Sequence, residues 1–150
     1  MNNLAGDEVR TSTVSAILTE ALSWTGTPYR HQGSRKAVGC DCLGLVLGVW
    51  RAVYGAAPEL PGCYAPDWAE AGGEDLFLAG VRRHCAEKPV GMMSAGDLVL
   101  FRWRPHLPAK HAGIVIGPGR FIHAYQGNAV TVSTLVPQWL KRIAGVFAFP

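Results

Sequence analysis

The sequence predicts an α+β domain in which helices pack on an antiparallel sheet of about five or six strands. The first half of the chain carries apolar residues at helical spacing, whereas the second half carries short segments rich in β-branched and aromatic residues, separated by turn signals. Helices followed by a run of strands are typical of a layered α+β domain. Its 150 residues, 49% hydrophobic and 17% charged, suit one core, and we expect a single domain over residues 1–150.

The first and third of three predicted helices frame the first half of the chain. The first starts near residues 11–13 and ends before the turn Gly26-Thr27-Pro28. Residues 56–66 are rich in proline and glycine and predict a loop, after which Asp67 is a candidate cap for a short turn. The third helix is predicted from about residue 74 to residue 85.

The second predicted helix carries the most informative residue of the chain. It has Asp41 as its N-cap and Gly55 as its stop, and an apolar stripe with a period of 3.6 residues contains Cys42, Leu45, Val46, Val49, Trp50 and Val53. A cysteine at a helix N-terminus feels the positive end of the macrodipole, which can lower the thiol pKa from about 8.5 toward roughly 3.5–7.5. We therefore expect Cys42 to be available as a thiolate at neutral pH.

The second half of the chain predicts five strands, over residues 97–103, 112–117, 121–125, 129–133 and 143–149. The Pro118-Gly119 pair predicts a tight hairpin between the second and the third of them. His111 precedes one strand of this hairpin and His123 lies within the other. The two imidazoles can therefore lie side by side if the register and the facing of the strands agree.

Five ordered motifs resemble the NlpC-type cell-wall peptidases, which are papain-like cysteine peptidases. The motifs are Gly26-Thr27-Pro28-Tyr29, Asp41-Cys42-Leu43-Gly44-Leu45, Gly96-Asp97-Leu98-Val99-Leu100-Phe101, His111-Ala112-Gly113-Ile114 and Phe121-Ile122-His123-Ala124. The resemblance implies a papain-like fold with Cys42 as the nucleophile, His111 as the general base and His123 as the residue that orients it. The family commonly has serine where Leu43 stands, so the family's substrate contact at that position is in doubt here.

The same resemblance implies where the substrate and the reaction's oxyanion bind. Tyr29 is expected to line the cleft near the thiol, and Asp41 stands beside the nucleophile. A tetrahedral intermediate needs donors aimed at its oxyanion, and the backbone amide of Cys42 at the helix start is the natural candidate, with Tyr29 as a possible assistant. The substrate-binding and oxyanion group is therefore expected to comprise Tyr29, Asp41 and Cys42.

The remaining cysteines and histidines have simpler interpretations. Cys40 is a rival nucleophile, but it precedes the helix cap and lies outside the stripe, so we expect it to pack. Cys63 and Cys85 are expected to be structural, and we expect no disulfide, because the chain lacks the features of a secreted protein. His31, His84 and His106 belong to no motif and are expected to be exposed or to cap helices, while the five tryptophans are expected in the core or at its rim.

Composition argues against several other classes of protein. Met1 to Arg10 includes Asp7 and Glu8 and has no apolar segment, so we expect no secretory signal and synthesis in the cytoplasm. The apolar run 43–50 ends at Arg51, far short of the ~20 residues of a membrane span, so we expect no membrane insertion. The formal charge of +3 is spread along the chain, which does not indicate a nucleic-acid interface.

The resemblance to the NlpC-type peptidases implies hydrolysis of peptidoglycan stem peptides, at the γ-D-glutamyl bond to a diamino acid, without a cofactor. Three segments most resemble the subgroup encoded with phage tails and gene transfer agents. They are residues 39–45, Val49-Trp50-Arg51 and the last four residues, Phe147-Ala148-Phe149-Pro150. That subgroup implies a place in a particle tail, tail-tip or hub proteins as partners, and local opening of the wall during DNA delivery.

Three alternatives stay open at this point. The first is a structural or adaptor protein of the tail tip with an intact but unused site. The second is a zinc site built from Cys40, Cys42, His111 and His123, although its C-x-C spacing is not the usual C-x2-C. The third is an acyltransferase that uses the same cysteine and histidines.

Overall fold

The computed structural model describes residues 4–60 and 75–150 of the chain. In these residues the helices are α1 (Leu4–Ser23), α2 (Cys42–Tyr54), α3 (Leu76–His84) and α4 (Pro137–Leu140), with a single 3-10 turn at Val90–Met92. The strands are β1 (Ser34–Arg35), β2 (Gly39–Cys40), β3 (Ala86–Lys88), β4 (Leu98–Phe101), β5 (His111–Gly117), β6 (Arg120–His123), β7 (Thr131–Thr134) and β8 (Ile143–Ala148). None of these helices is both long and apolar enough to cross a bilayer.

The predicted α+β fold is confirmed, and its main sheet has six antiparallel strands in the order β3-β8-β4-β5-β6-β7. The five predicted strands correspond to β4 through β8. The predicted hairpin is confirmed as well, because Gly117 pairs with Arg120 across the turn and Gly119 has a positive φ of 67°. Strands β1 and β2 form a separate small ribbon that leads into α2.

The predicted start of the first helix was wrong. Helix α1 begins at Leu4 rather than near residues 11–13, although only Ile17 and Ala21 of this helix are buried. Its first turns present no apolar stripe to the core, so hydrophobic periodicity could not detect them. Residues with good helix propensity, such as Leu4, Ala5 and Glu8, extend the helix instead.

Helix α2 confirms the predicted boundaries. The Asp41 carboxylate accepts a hydrogen bond from the amide of Gly44 at 2.7 Å, as an N-cap does. At the other end Gly55 adopts a left-handed conformation, with φ of 86°, and its amide donates to the carbonyl of Arg51 at 2.8 Å. These two caps fix the position of the first turn of α2, where Cys42 lies.

Several other elements differ from the prediction, and one predicted cap lies outside the described residues. Helix α3 begins at Leu76, after an Asp75 cap, and it ends one residue earlier than predicted. Strand β3 was missed because its short polar sequence at the sheet edge lacks an apolar alternation, and α4 was missed because a four-residue helix is too short to show a period. The predicted cap Asp67 lies outside the described residues.

The two faces of the six-stranded sheet pack against different partners. Alternation along β4 places Leu98 and Leu100 in the larger hydrophobic cluster, which also contains the buried residues of α2 and α3. Val99 and Phe101 belong to a second cluster, together with Phe121 and the partly buried Trp139 of α4. The sheet is therefore buried on both faces, and α4 covers the face opposite α2.

Candidate active site

The start of α2 is fixed by a buried carboxylate that holds two chain segments together. Besides capping the helix through Gly44, Asp41 accepts a hydrogen bond from the backbone amide of Gln32 at 2.7 Å through its other carboxylate oxygen. The Asp41 amide also donates to the carbonyl of Gly33 at 3.2 Å. These bonds tie the loop before β1 to the first turn of α2, which positions Cys42.

Asp41 was predicted to belong to the substrate-binding and oxyanion group, but the structure gives it a different place. Its side chain is only 4% exposed, and both oxygens are occupied by the amides of Gln32 and Gly44. Burial raises the pKa of this carboxyl, while the two amides lower it. Asp41 therefore acts as a helix cap and a loop clamp and does not line the cleft that contains Cys42.

A close contact between two glycines lies beneath this arrangement, and sequence reasoning did not single it out. A Cβ atom added to Gly44 would overlap the carbonyl oxygen of Gly33. The first turn of α2 can thus approach the loop only because residue 44 has no side chain. The glycine itself was visible in the sequence, but its partner was not.

His111 and His123 lie side by side, as the predicted hairpin allows. The register pairs Ile114 with Ile122, so His123 lies opposite Gly113 and diagonally across from His111 on the same face. The Nε2 atom of His111 is 2.8 Å from the Nδ1 atom of His123. A Cβ atom on Gly113 would lie 2.8 Å from the Phe121 ring, so the missing side chain leaves room for the two imidazoles.

Ser133 extends this pair into a relay of three side chains, and sequence reasoning missed it. Its Oγ atom is 2.8 Å from the Nε2 atom of His123. Strand β7 pairs Phe121 with Ser133 and His123 with Thr131, which makes Ser133 a diagonal neighbour of His123. Only the register between β6 and β7 reveals this contact, since one serine among the polar residues of a predicted strand carries no signal.

One cleft brings the thiol and the first imidazole together. Its volume is about 380 Å³, and its lining includes Tyr29, Cys42, Trp103, Lys110 and His111. The thiol of Cys42 lies 4.0 Å from the carbonyl oxygen of Lys110, the residue before His111. Helix α2 packs on one face of the sheet and the histidines lie on the other. Cys42 and His111 both line the cleft at the beginning of β5.

Two tryptophans form an aromatic wall around the histidine pair. The ring of Trp103 stacks on His111, with 5.6 Å between ring centroids and 20° between planes. The ring centroid of Trp139 in α4 lies 5.6 Å from the ring centroid of His111 and 5.3 Å from that of His123. These residues were predicted only as core or rim, whereas the structure places both against the candidate site.

Burial dominates the electrostatics of the site. It raises the pKa of the Cys42 thiol to about 12, with a further rise from the Asp41 charge, whereas the amides of Ala112, Leu43 and Cys42 lower it by less. Burial also lowers the pKa of His111 to about 3, with a contribution from His123, and the pKa of His123 to about 4. Desolvation thus outweighs the helix terminus and favours neutral groups, which argues against the expected resting thiolate.

With His111 and His123 both neutral, the hydrogen bonds of the relay assign a position to each imidazole proton. If the Ser133 hydroxyl accepts a hydrogen bond from the Nε2–H group of His123, the Nδ1 atom of that neutral imidazole carries no proton. This Nδ1 atom then accepts a hydrogen bond from the Nε2–H group of His111. The Nδ1 atom of His111 is then unprotonated and able to receive a proton. Such an arrangement can take the thiol proton as the sulfur attacks a carbonyl carbon.

Donors for a developing oxyanion are present at the same place. The amides of Gly44 and Leu45 donate to the side chain and the carbonyl of Asp41, respectively, while a helix offers no internal acceptor to its first amide, that of Cys42. Tyr29 lines the cleft, and its pKa is raised by burial and by the Cys42 and Asp41 charges, so its hydroxyl stays protonated as a donor. Both of these predicted donors therefore lie within reach of the cleft.

The other predicted candidates lie away from the cleft. Cys40 is fully buried, and burial and the Asp41 charge raise the pKa of its thiol to about 12, which fits packing. Cys85 is also buried, Cys63 lies outside the described residues, and the three described cysteines are unpaired. Within residues 4–60 and 75–150, no three potential metal ligands cluster, so the proposed zinc site finds no geometric support.

Comparison with known proteins gives this geometry a context. The pattern of the NlpC/P60 family matches residues 26–147 of the chain. A gamma-DL-glutamyl hydrolase of Bacillus subtilis (strain 168) is 33% identical over 134 residues, which are 89% of this chain and 29% of that protein. The murein DD-endopeptidase MepS/murein LD-carboxypeptidase of Escherichia coli (strain K12) is 33% identical over 129 residues, which are 85% of this chain and 58% of that protein.

A solved structure agrees with these sequence matches. The crystal structure of the NlpC/p60 domain of the peptidoglycan hydrolase SagA superposes with a TM-score of 0.63 at 28% identity. The match covers 91% of this chain and 98% of that domain. The chain spans less than two thirds of either curated relative.

Proposed function

Because this chain belongs to the NlpC/P60 family, we propose that it is a cysteine peptidase that hydrolyses the stem peptides of peptidoglycan. The observation that carries the proposal is the relay from His111 through His123 to Ser133, which ends at the cleft that Cys42 lines. Nucleophile, base and orienting group are the parts that thiol-based acyl transfer requires.

The proposed reaction begins with a neutral Cys42 thiol and a neutral His111 imidazole. His111 accepts the thiol proton at Nδ1 while Sγ of Cys42 bonds to the scissile carbonyl carbon, and the Cys42 amide and the Tyr29 hydroxyl donate to the oxyanion. His111 then gives the proton to the leaving amine, and a thioester remains. Water attacks the thioester with His111 again as base, which frees the thiol and releases the carboxylic acid product.

For the bond that is cleaved, we propose the γ-D-glutamyl bond to the diamino acid. The sequence motifs around Cys42 and the resemblance to a gamma-DL-glutamyl hydrolase support this choice. MepS, at the same identity, is named for different peptide bonds, so the choice needs a direct test.

The test is digestion of purified sacculi, with mass spectrometry of the released muropeptides. The wild-type chain is expected to release fragments that end in D-glutamate, whereas the Cys42→Ala variant releases none. A Cys40→Ala variant is the matched control, because Cys40 is buried and does not line the cleft, and it is expected to keep activity. Folded protein that leaves sacculi intact in every buffer would indicate a binding role for the family fold instead.

We further propose that the enzyme acts as a tail component of a phage-like or gene transfer agent particle, with tail-tip or hub proteins as partners. The resemblance of residues 39–45 and of the last four residues to the phage-tail and gene transfer agent subgroup supports this proposal. In this role the enzyme would open the wall locally during DNA delivery.

Particle analysis tests the tail role separately from the chemistry. The protein should copurify with tail proteins, and particles that lack it should assemble and bind cells but deliver DNA poorly. Delivery that is unchanged after deletion of the gene, together with absence of the protein from purified particles, would exclude the tail role and leave the peptidase assignment unaffected.

A further inference from the structure

A second pocket lies beside the candidate active site and is strongly basic. It has a volume of about 400 Å³, and its lining includes Trp103, Arg104, Lys141 and Arg142. Neither this pocket nor the catalytic cleft is lined by a carboxylate side chain of the described residues, and the cleft adds Lys110. The surface that runs from the thiol past Trp103 is therefore positive.

Of the four cationic side chains that line this basic pocket, one is paired with a carboxylate of the described residues and three are not. Arg102, which also lines it, is engaged, since its guanidinium lies 3.4 Å from the Asp75 carboxylate and donates to the Leu107 carbonyl at 2.8 Å. In contrast, Arg104, Lys141 and Arg142 form no ion pair with any carboxylate in residues 4–60 and 75–150. They are available to an external anion.

Arg142 is also held in place by the aromatic wall. Its guanidinium carbon lies 5.3 Å from the Trp103 ring centroid and 5.9 Å from that of Trp139. A guanidinium packed over aromatic rings keeps its charge and its donors while losing conformational freedom. An anion that binds there therefore meets a partly preorganised donor.

Trp103 connects the basic pocket to the reaction. It lines both cavities and stacks on His111. His111 must deliver its proton to the leaving amine, so the leaving part of the substrate lies on the imidazole side of the thiol. We propose that the pocket formed by Trp103, Arg104, Lys141 and Arg142 is an anion subsite that binds a carboxylate of the leaving-group part of the peptide.

This subsite rests on the proposed peptidase function and defines its substrate further. The leaving group is an amino acid whose amine is released when the peptide bond breaks. It carries a carboxylate, either its own or the one at the end of a short peptide attached to it. Guanidinium and ammonium groups are the protein donors suited to that anion. A cavity lining that is basic also attracts an anionic substrate before it binds, an effect that salt weakens.

The test uses two peptides that differ only in the leaving residue, which ends in a carboxylate in one and in a carboxamide in the other. For the double variant Arg104→Gln/Lys141→Gln, KM for the carboxylate peptide is expected to rise about three- to tenfold with kcat unchanged. Cleavage of the carboxamide peptide should not change. Arg83→Gln is the matched control, since it removes an exposed cation from α3, away from both cavities.

Two outcomes would overturn the subsite. Equal losses on both peptides would indicate a structural effect, and no loss on either would show that the basic pocket does not bind substrate. Arg142→Lys keeps the charge without the planar guanidinium, and we expect an intermediate rise in KM for the carboxylate peptide alone.

Binding measurements separate failure of the subsite from failure of the proposed function. In the Cys42→Ala background, titration calorimetry with the two amine products should show weaker binding of the carboxylate product when Arg104 and Lys141 are replaced. If the wild-type chain cleaves no peptide but this difference persists, the subsite stands and the peptidase proposal fails. If cleavage is normal and the difference is absent, only the subsite fails.

Discussion

At the scale of single residues, ionisation of Cys42 and His111 decides how the proposed reaction starts. Desolvation raises the pKa of the thiol to about 12 and lowers the pKa of His111 to about 3. Both directions favour a neutral thiol beside a neutral imidazole. The proton therefore moves during the attack rather than before substrate binds.

The pH dependence of kcat/KM follows from this neutral pair. His111 serves as a base only when it is unprotonated, so its lowered pKa places the acid limb below the ordinary value of 6.5. The raised thiol pKa predicts no decline through mildly alkaline pH. Steady-state kinetics on a γ-glutamyl peptide would measure both limbs.

A thiolate–imidazolium pair would give a different profile, because loss of the imidazolium proton would reduce activity at alkaline pH. The ultraviolet absorbance of a thiolate, taken as the difference between wild type and Cys42→Ser, is an independent readout. Thiolate absorbance at neutral pH, together with an alkaline decline, would restore the original expectation for Cys42.

The relay beyond His111 predicts graded losses. His111→Ala should abolish turnover, whereas His123→Gln should keep part of it, because an amide oxygen can still accept from the imidazole N–H. Ser133→Ala removes the acceptor 2.8 Å from His123, and a lost buried hydrogen bond of about 1 kcal/mol corresponds to a roughly fivefold lower kcat.

Ser133→Thr is the control for this series, because it keeps the hydroxyl on a strand and should retain most of kcat. KM should change little in the His123 and Ser133 variants, which separates positioning of the imidazole from substrate binding. If Ser133→Ala matches wild type while Ser133→Thr loses activity, the hydroxyl has no positioning role.

The sequence could predict those site residues that belong to local patterns. Cys42 follows a capping aspartate at a helix start, and His111 and His123 flank a hairpin turn, so short stretches of chain place all three. Ser133 and Trp139 enter the site through the register of β7 and through a four-residue helix. Their positions depend on pairing between strands and on tertiary packing, which no local pattern encodes.

At the scale of elements, the close approach of α2 to the loop before β1 holds the nucleophile in place. Gly44→Ala would force its Cβ into the carbonyl oxygen of Gly33, where the neighbour is backbone and cannot rotate away. We expect a loss of about 2–4 kcal/mol in the free energy of unfolding, by analogy with other severe steric and strain effects. Urea denaturation measures it.

Gly91→Ala is the matched control for this substitution, because nothing lies within 4 Å of a Cβ atom added there and the residue has no positive φ. Its unfolding free energy should stay near the wild-type value. Equal stability of the two variants would mean that the loop moves freely and that the glycine contact does not position Cys42.

Elements with a strong period were predictable, and those without one were not. Helix α2 and strands β4 to β8 bury alternating or helical sets of apolar residues, which the sequence shows directly. The first turns of α1 are exposed, and β3 is a polar strand at the sheet edge. Their formation depends on helix propensity and on pairing with β8 rather than on burial.

At the scale of the whole molecule, the fold places its two hydrophobic clusters on opposite faces of one sheet, and the candidate site lies where they meet. Alternation predicts that successive residues face opposite sides, but it does not say which side α2 covers. The thiol and His111 both line the cleft at the beginning of β5, where a residue of either face can reach it.

Burial of two neutral histidines also makes global stability depend on pH. His111 is 5% exposed and His123 is 2% exposed, and burial lowers their pKa values to about 3 and about 4. In the unfolded chain both return to about 6.5. Between these values the unfolded state binds more protons than the folded state, so the unfolding free energy falls as the pH falls.

We therefore expect the contribution of each histidine to be complete above about pH 6.5 and to decrease by up to about 1.4 kcal/mol per pH unit as the pH falls toward 4. Urea denaturation of the wild type from pH 7 to pH 4 measures the slope. The double variant His111→Gln/His123→Gln removes both titrating groups and should show a shallower slope, even if its stability at pH 7 is lower. Gly91→Ala, which removes no titrating side chain, is the control and should keep the wild-type slope. Parallel slopes for the wild type and the double variant would show that the buried imidazoles titrate as they do in water, and the neutral resting pair proposed for catalysis would lose its basis.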